Sequence, residues 1–163
     1  MPGGHGKLCD TWWGATAPPT LVTVAALTWV GLSFSPTVNG RFMGFRAYVS
    51  SSAQSPGFAI LWDKFGHIVL ATKMFVNQTP GSALWLQCWS RPAVRLVIGT
   101  QYSLAACFST SYHRSNTAIP GGGVAQNGIN LIESFQSTAV SPAFTAPTTN
   151  TNRNGVDVLF LAD

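Results

Sequence analysis

From Thr20 onward, apolar and polar residues alternate with a period of two, in short runs bounded by Gly, Pro, Asn and Ser, and helical spacing is nowhere sustained. Alternation of this kind sends successive side chains to opposite faces of a strand. The first run covers residues 21–34 and ends at the turn-like Ser-Pro-Thr-Val-Asn-Gly of 35–40. In residues 41–50, Met43, Phe45, Ala47 and Val49 define the apolar, core-facing side, and Phe42, Arg46 and Tyr48 the other. Residues 57–63 and 67–76 predict a hairpin across Asp63-Lys64-Phe65-Gly66, whose glycine supplies the left-handed position such a turn needs.

Past the turn cluster at 77–81, residues 83–89, 94–98 and 101–109 repeat the pattern, with Leu84, Leu86 and Cys88 opposing Trp85, Gln87 and Trp89. The stretch 111–154, with its Gly-Gly-Gly at 121–123 and its Thr- and Asn-rich end, predicts at most one or two short elements. Residues 155–161 close the chain as a final strand. About eight short strands separated by turns predict an all-β fold, an antiparallel β-sandwich of jelly-roll type. Its expected core includes Phe45, Val49, Ile60, Leu61, Leu70, Leu84, Leu86, Val94, Leu96, Tyr102, Leu104, Val158 and Phe160, with Trp62 also inside.

Residues 1–19 have no periodicity, three early glycines and a closing Pro-Pro, and are expected to form an extended N-terminal arm ahead of a domain at 20–163. The adjacent indoles Trp12 and Trp13 are costly to leave in water, so the arm should dock, either on its own domain or on a neighbouring subunit. In the second case they form an interface, and deleting residues 1–19 should leave the domain folded.

Composition narrows the function. Of 163 residues 46% are hydrophobic and only 9% charged, far below the roughly 25% of ordinary soluble domains, which excludes coiled coil and charge-rich disorder. The formal charge of +4 comes from 9 cations dispersed against 5 acids, and without a basic cluster no nucleic-acid partner is expected. No apolar run is long enough to span a membrane, and none is expected as a partner. The N-terminal residues lack the apolar core of a secretory signal, so export by that route is not expected.

Candidate chemistry is sparse. Cys9, Cys88 and Cys107 are odd in number and far apart, and are read as buried free thiols. His5, His67 and His113 are isolated, with His113 read as a surface residue, so neither a metal nor any other cofactor is expected. Among the acids only Asp63 and Glu133 sit where loops could meet, too little for a paired-carboxylate glycosidase, and no enzyme is expected. Recognition remains. Trp85, Trp89, Tyr48 and Phe42 fall off the main apolar face, where aromatics contact another subunit or stack on sugar rings.

Four segments occur in a particular order: Gly44-Phe45-Arg46-Ala47-Tyr48; Leu61-Trp62-Asp63 with Gly66 and Leu70-Ala71; Pro92, Val94, Leu96, Gly99, Thr100 and Tyr102; and Val156-Asp157-Val158-Leu159-Phe160. In these residues the chain resembles the bacterial β-sandwich domain of unknown function 4082 family, over about residues 30–162. The resemblance implies the sandwich fold and no particular activity. Stand-alone forms behind an arm look like bacteriophage minor tail or capsid-surface proteins. It therefore implies a structural accessory protein of a virion, made in the host cytoplasm, whose partners are other virion proteins, copies of itself and, in addition, host-surface glycans. The alternative is a glycan-binding module of an adhesin or carbohydrate-active protein.

Overall fold

The computed structural model describes residues 12–13, 16–49, 57–73, 84–118, 124–138, 148–150 and 152–163. Among them every regular element is a strand. In chain order these are β1 (Thr20–Thr23), β2 (Thr28–Pro36), β3 (Gly40–Val49), β4 (Phe58–Trp62), β5 (Ile68–Lys73), β6 (Leu84–Leu96) and β7 (Tyr102–Phe108). There follow β8 (Ser111–Ala118), β9 (Val124–Gln126), β10 (Ile129–Ser137), β11 (Thr148–Asn150), β12 (Asn152–Asn154) and β13 (Val156–Ala162).

The strands form three antiparallel sheets packed against one another, a β-sandwich. The large sheet runs β11-β10-β2-β7-β4-β5, with β9 also paired to β10; the second is β13-β3-β6 and the small third is β1-β8-β12. Between the first two lies the main core. Val30, Leu32 and Phe34 of β2 with Leu104, Ala106 and Phe108 of β7 meet Phe42, Phe45 and Ala47 of β3 and Val156, Val158 and Phe160 of β13. A second buried cluster, Trp29, Ile60, Trp62, Ala105, Cys107 and Phe135, draws on the same large sheet. The large sheet therefore buries apolar side chains at consecutive positions, as along Ala105, Ala106 and Cys107.

Period-two reasoning places most core residues correctly, and it fails where a strand carries extra residues. Eleven of the expected core positions, Trp62 among them, are buried; Leu70 and Val94 are only half-buried against the core, and the Leu84 side chain lies outside the described residues. The expected 21–34 strand is two, because the chain breaks after Thr23 and re-enters a different sheet at Thr28. Residues 83–89 and 94–98 instead form one long strand, β6, which bulges where Trp89 pairs with Gly44 and Val94 with Phe42. That bulge also overturns the reading of Phe42 as an outward aromatic. The register slips between Phe42 and Gly44, turning Phe42 inward to full burial, edge-on to Phe45 with ring centroids 4.8 Å apart.

Among its described residues the stretch 111–154 holds five strands rather than one or two. β8 is too polar to advertise itself, and β10 has its alternation broken by a register shift between Leu131 and Glu133. The Asp63–Gly66 hairpin is as expected, with Gly66 at φ 82° and its N–H returned to the Asp63 carbonyl at 3.0 Å.

Candidate functional site

The outer face of the β13-β3-β6 sheet carries a polar row that a sandwich would ordinarily give to water. Register aligns Asp157 of β13 with Arg46 of β3, and Arg46 with Gln87 of β6; Tyr48 of β3 pairs with Trp85 of β6. Asp157 and Arg46 are nonetheless buried, at 0% and 5% exposure. Arg46 donates to Asp157 Oδ2 from Nε at 3.0 Å and from Nη2 at 2.7 Å, so the carboxylate receives a two-pronged ion pair.

The cover is the N-terminal segment. The N–H groups of Trp12 and Trp13 donate to Asp157 Oδ1 and Oδ2 at 3.0 and 2.8 Å, and the Val158 N–H adds a third backbone donor at 2.8 Å. Burial pushes the Asp157 carboxyl above its ordinary range, against the opposing pull of Arg46 and of the Trp13 and Val158 N–H groups. The indoles complete the seal. Trp13 Nε1 donates to the Asn154 carbonyl at 2.8 Å, its ring stands 6.0 Å from Trp85, and Trp12 packs edge-on to Trp13 at 5.6 Å. Arg46 lies 4.2 Å over the Trp85 ring and Arg153 4.8 Å over Trp12, so cation–π contacts clamp the layer from both sides.

Asn154, buried between the sheets, ties this latch to the rest of the fold. Its Nδ2 donates to the carbonyls of Gly31 on β2 and Phe135 on β10, at 3.0 and 2.8 Å, and its N–H to Ser134 Oγ at 3.2 Å. Trp85 Nε1 donates to Thr16 O at 3.2 Å, and Pro18 is buried, its Cγ 3.0 Å from where a side chain on Gly155 would begin. Residues 12–13 and 16–19 therefore follow their own domain. Of the two docking alternatives, the described part of the arm takes the intramolecular one.

The expected contact aromatics consequently divide. Trp12, Trp13 and Phe42 are interior; Tyr48 is half-buried, edge-on to Trp85 at 5.5 Å and to His113 at 5.0 Å. Trp85 is half-buried beneath the arm. Trp89 alone of this set stays open, at 49% exposure. It is four residues beyond Trp85 on the same face, about 13 Å away by strand rise.

The described acids and thiols have structural partners or surroundings. Asp63 Oδ1 accepts from the Phe65 and His67 N–H groups at 2.9 Å each, while Oδ2 meets His67 Nδ1 at 3.0 Å. Glu133 accepts from Ser33 Oγ at 3.3 Å on the large sheet, and Asp163 pairs with Arg41 and Arg95. His113 is not the surface residue expected, being 8% exposed, and burial pulls its pKa down despite a backbone hydrogen bond at Pro18. Cys88 and Cys107 are free thiols, and burial pushes the Cys107 pKa up, which leaves it a poor nucleophile. Cys9, His5 and Gly121–Gly123 lie outside the described residues.

No family model matches the chain, and a search of curated proteins finds no match.

Proposed function

We propose that this chain is a structural accessory protein of a bacteriophage virion, a minor tail or capsid decoration protein that acts through protein contacts. The observation that carries the proposal is how side chains are allotted. Asp63, Glu133, Asp157 and Asp163 are each engaged in holding the fold, whereas the side chains left outward include a large indole, Trp89, on a strand face. Such a surface suits recognition, since Trp is enriched at the energetic centres of protein interfaces and charge is depleted there. The low charged fraction supports the same assignment. Its partners would be other virion proteins and copies of itself, located in the particle.

Because Trp12 and Trp13 complete the domain's own core, anchoring is assigned to the strand face that carries Trp89 rather than to the arm. A glycan-binding role is the second reading, favoured by one observation: exposed Gln87 projects from the same face as Trp89, so a stacking ring has a polar neighbour. Trp89→Ala separates the two. The virion reading expects reduced incorporation into particles and a blank glycan array for parent and variant alike. An array signal in the parent that the variant loses, with incorporation unchanged, would reverse the order.

A further inference from the structure

One end of the sandwich collects four connections: 37–39 between β2 and β3, 63–67 between β4 and β5, 97–101 between β6 and β7, and 127–128 between β9 and β10. The register brings them together, because Phe34 pairs with Tyr102, Trp62 with Ser103 and Pro36 with Ile129. Across the gaps the Gly99 N–H reaches the Pro36 carbonyl and the Thr37 N–H the Gly128 carbonyl, each at 2.9 Å. Turns at such positions ordinarily display Gly, Asn, Asp, Ser or Pro. Here they display Val38, Phe65, Val97 and Ile98, exposed by 41%, 72%, 58% and 51%.

These apolar points are braced from below. Asp63 Oδ1 holds the Phe65 and His67 N–H groups, the Thr100 N–H closes on the Val97 carbonyl at 3.0 Å, and the Val97 N–H donates to Tyr102 Oη at 3.1 Å. Cations stand beside or behind them. Lys64 Nζ lies 4.9 Å from the Phe65 ring centroid, and the Arg95 and Arg41 side chains, 70% and 56% exposed, share Asp163 at the end of the chain.

We propose that this end is a membrane-contact surface, which seats Phe65, Val97, Ile98 and Val38 at the headgroup–acyl boundary of an anionic bilayer and sets Lys64 and Arg95 among the headgroups. Val38, Phe65 and the Val97–Ile98 pair put four exposed apolar side chains on three neighbouring loops. A fluid bilayer accepts each point independently, whereas a folded partner would need a socket for each. Exposed apolar loop residues with Lys64 against the Phe65 ring and Arg95 and Arg41 on the adjoining strands are the chemistry of interfacial anchors, and the cations select for negative lipid. Contact of this kind needs no spanning segment, and no described helix is long and apolar enough to cross a membrane. It departs from the sequence-based expectation of no membrane partner, and it does not rest on the virion reading.

The test is co-sedimentation of the full chain with vesicles of phosphatidylcholine alone or mixed with phosphatidylglycerol, for the parent, Phe65→Ser, Ile98→Ser and Lys64→Glu. Both apolar positions are exposed, so the serine variants should melt with the parent. The parent is expected to pellet with the mixed vesicles and less with the neutral ones. Each serine variant should partition about tenfold less, as loss of one large apolar side chain from a nonaqueous seat implies, and Lys64→Glu should weaken binding to the mixed vesicles selectively. A parent that stays in solution with both vesicles overturns the proposal, as does pelleting that the serine variants leave unchanged. Concentration-dependent self-association abolished by the same variants, without lipid binding, would assign this end to a second copy and overturn it equally.

Discussion

Replacing Trp13 with alanine strikes the latch at its centre. The indole is 8% exposed, packs against Trp12 and Trp85, and donates to the Asn154 carbonyl at 2.8 Å. Truncating a buried tryptophan of this kind costs about 3–5 kcal/mol, and part of that is the Asn154 carbonyl losing its donor, a loss of about 1 kcal/mol or more. Against a total stability of roughly 5–15 kcal/mol this is a large fraction. For a chain of this length it corresponds to a fall in Tm of about 10 °C or more. Differential scanning calorimetry and urea unfolding, followed by far-ultraviolet circular dichroism, measure it directly. Trp89→Ala is the control, because an exposed residue on the same face should change stability by no more than about 0.5 kcal/mol. If Trp13→Ala and Trp89→Ala melt together with the parent, the arm does not seal its own domain in solution and the account of the latch is wrong.

Asp157→Asn should destabilise by about 3–5 kcal/mol, since it leaves the buried Arg46 guanidinium without its counter-charge; a urea midpoint close to the parent's would contradict the buried pair. Gly44→Ala should cost about 1–3 kcal/mol or more, because φ is 154° there and a Cβ would fall 2.1 Å from the Cys88 carbonyl oxygen; wild-type stability of that variant would argue against the β3–β6 register. His113 is held below its ordinary pKa of 6.5 by burial, so below that pH the unfolded chain binds a proton that the folded one resists. Its contribution is therefore present above about pH 6.5 and lost as the pH falls through and below it. His113→Gln should flatten the dependence of the urea midpoint between about pH 7.5 and 5, and an unchanged slope would remove His113 as its source.

Alternation made the sheets legible wherever strands are regular. β7 and β13, and β3 beyond Gly44, display their inward residues in the sequence, and the Asp63–Gly66 turn is announced by its own chemistry. Bulges were not legible, because one extra residue inverts the face assignment for everything beyond it. Alternation therefore puts Phe42 outside, whereas it is in the core. The latch was hidden for a different reason. Arg46 and Asp157 occupy outward positions that normally face water, and only the arm folding back makes them interior. Asn154, in a run that reads as turn residues, gave no local sign that it ties Trp13 to Gly31 and Phe135. Trp12 and Trp13 did signal docking through their hydrophobic cost. Where they dock depended on long-range contacts that period and spacing do not encode.

The central claim is that the chain is a built part of a virus particle. Quantitative mass spectrometry of density-purified particles recovered from lysed cells that express this gene tests it most directly. The account predicts the chain in the particle band at a fixed ratio to the major structural proteins, retained through high-salt washing. Its recovery only from the soluble lysate, with none in the band, would contradict the claim.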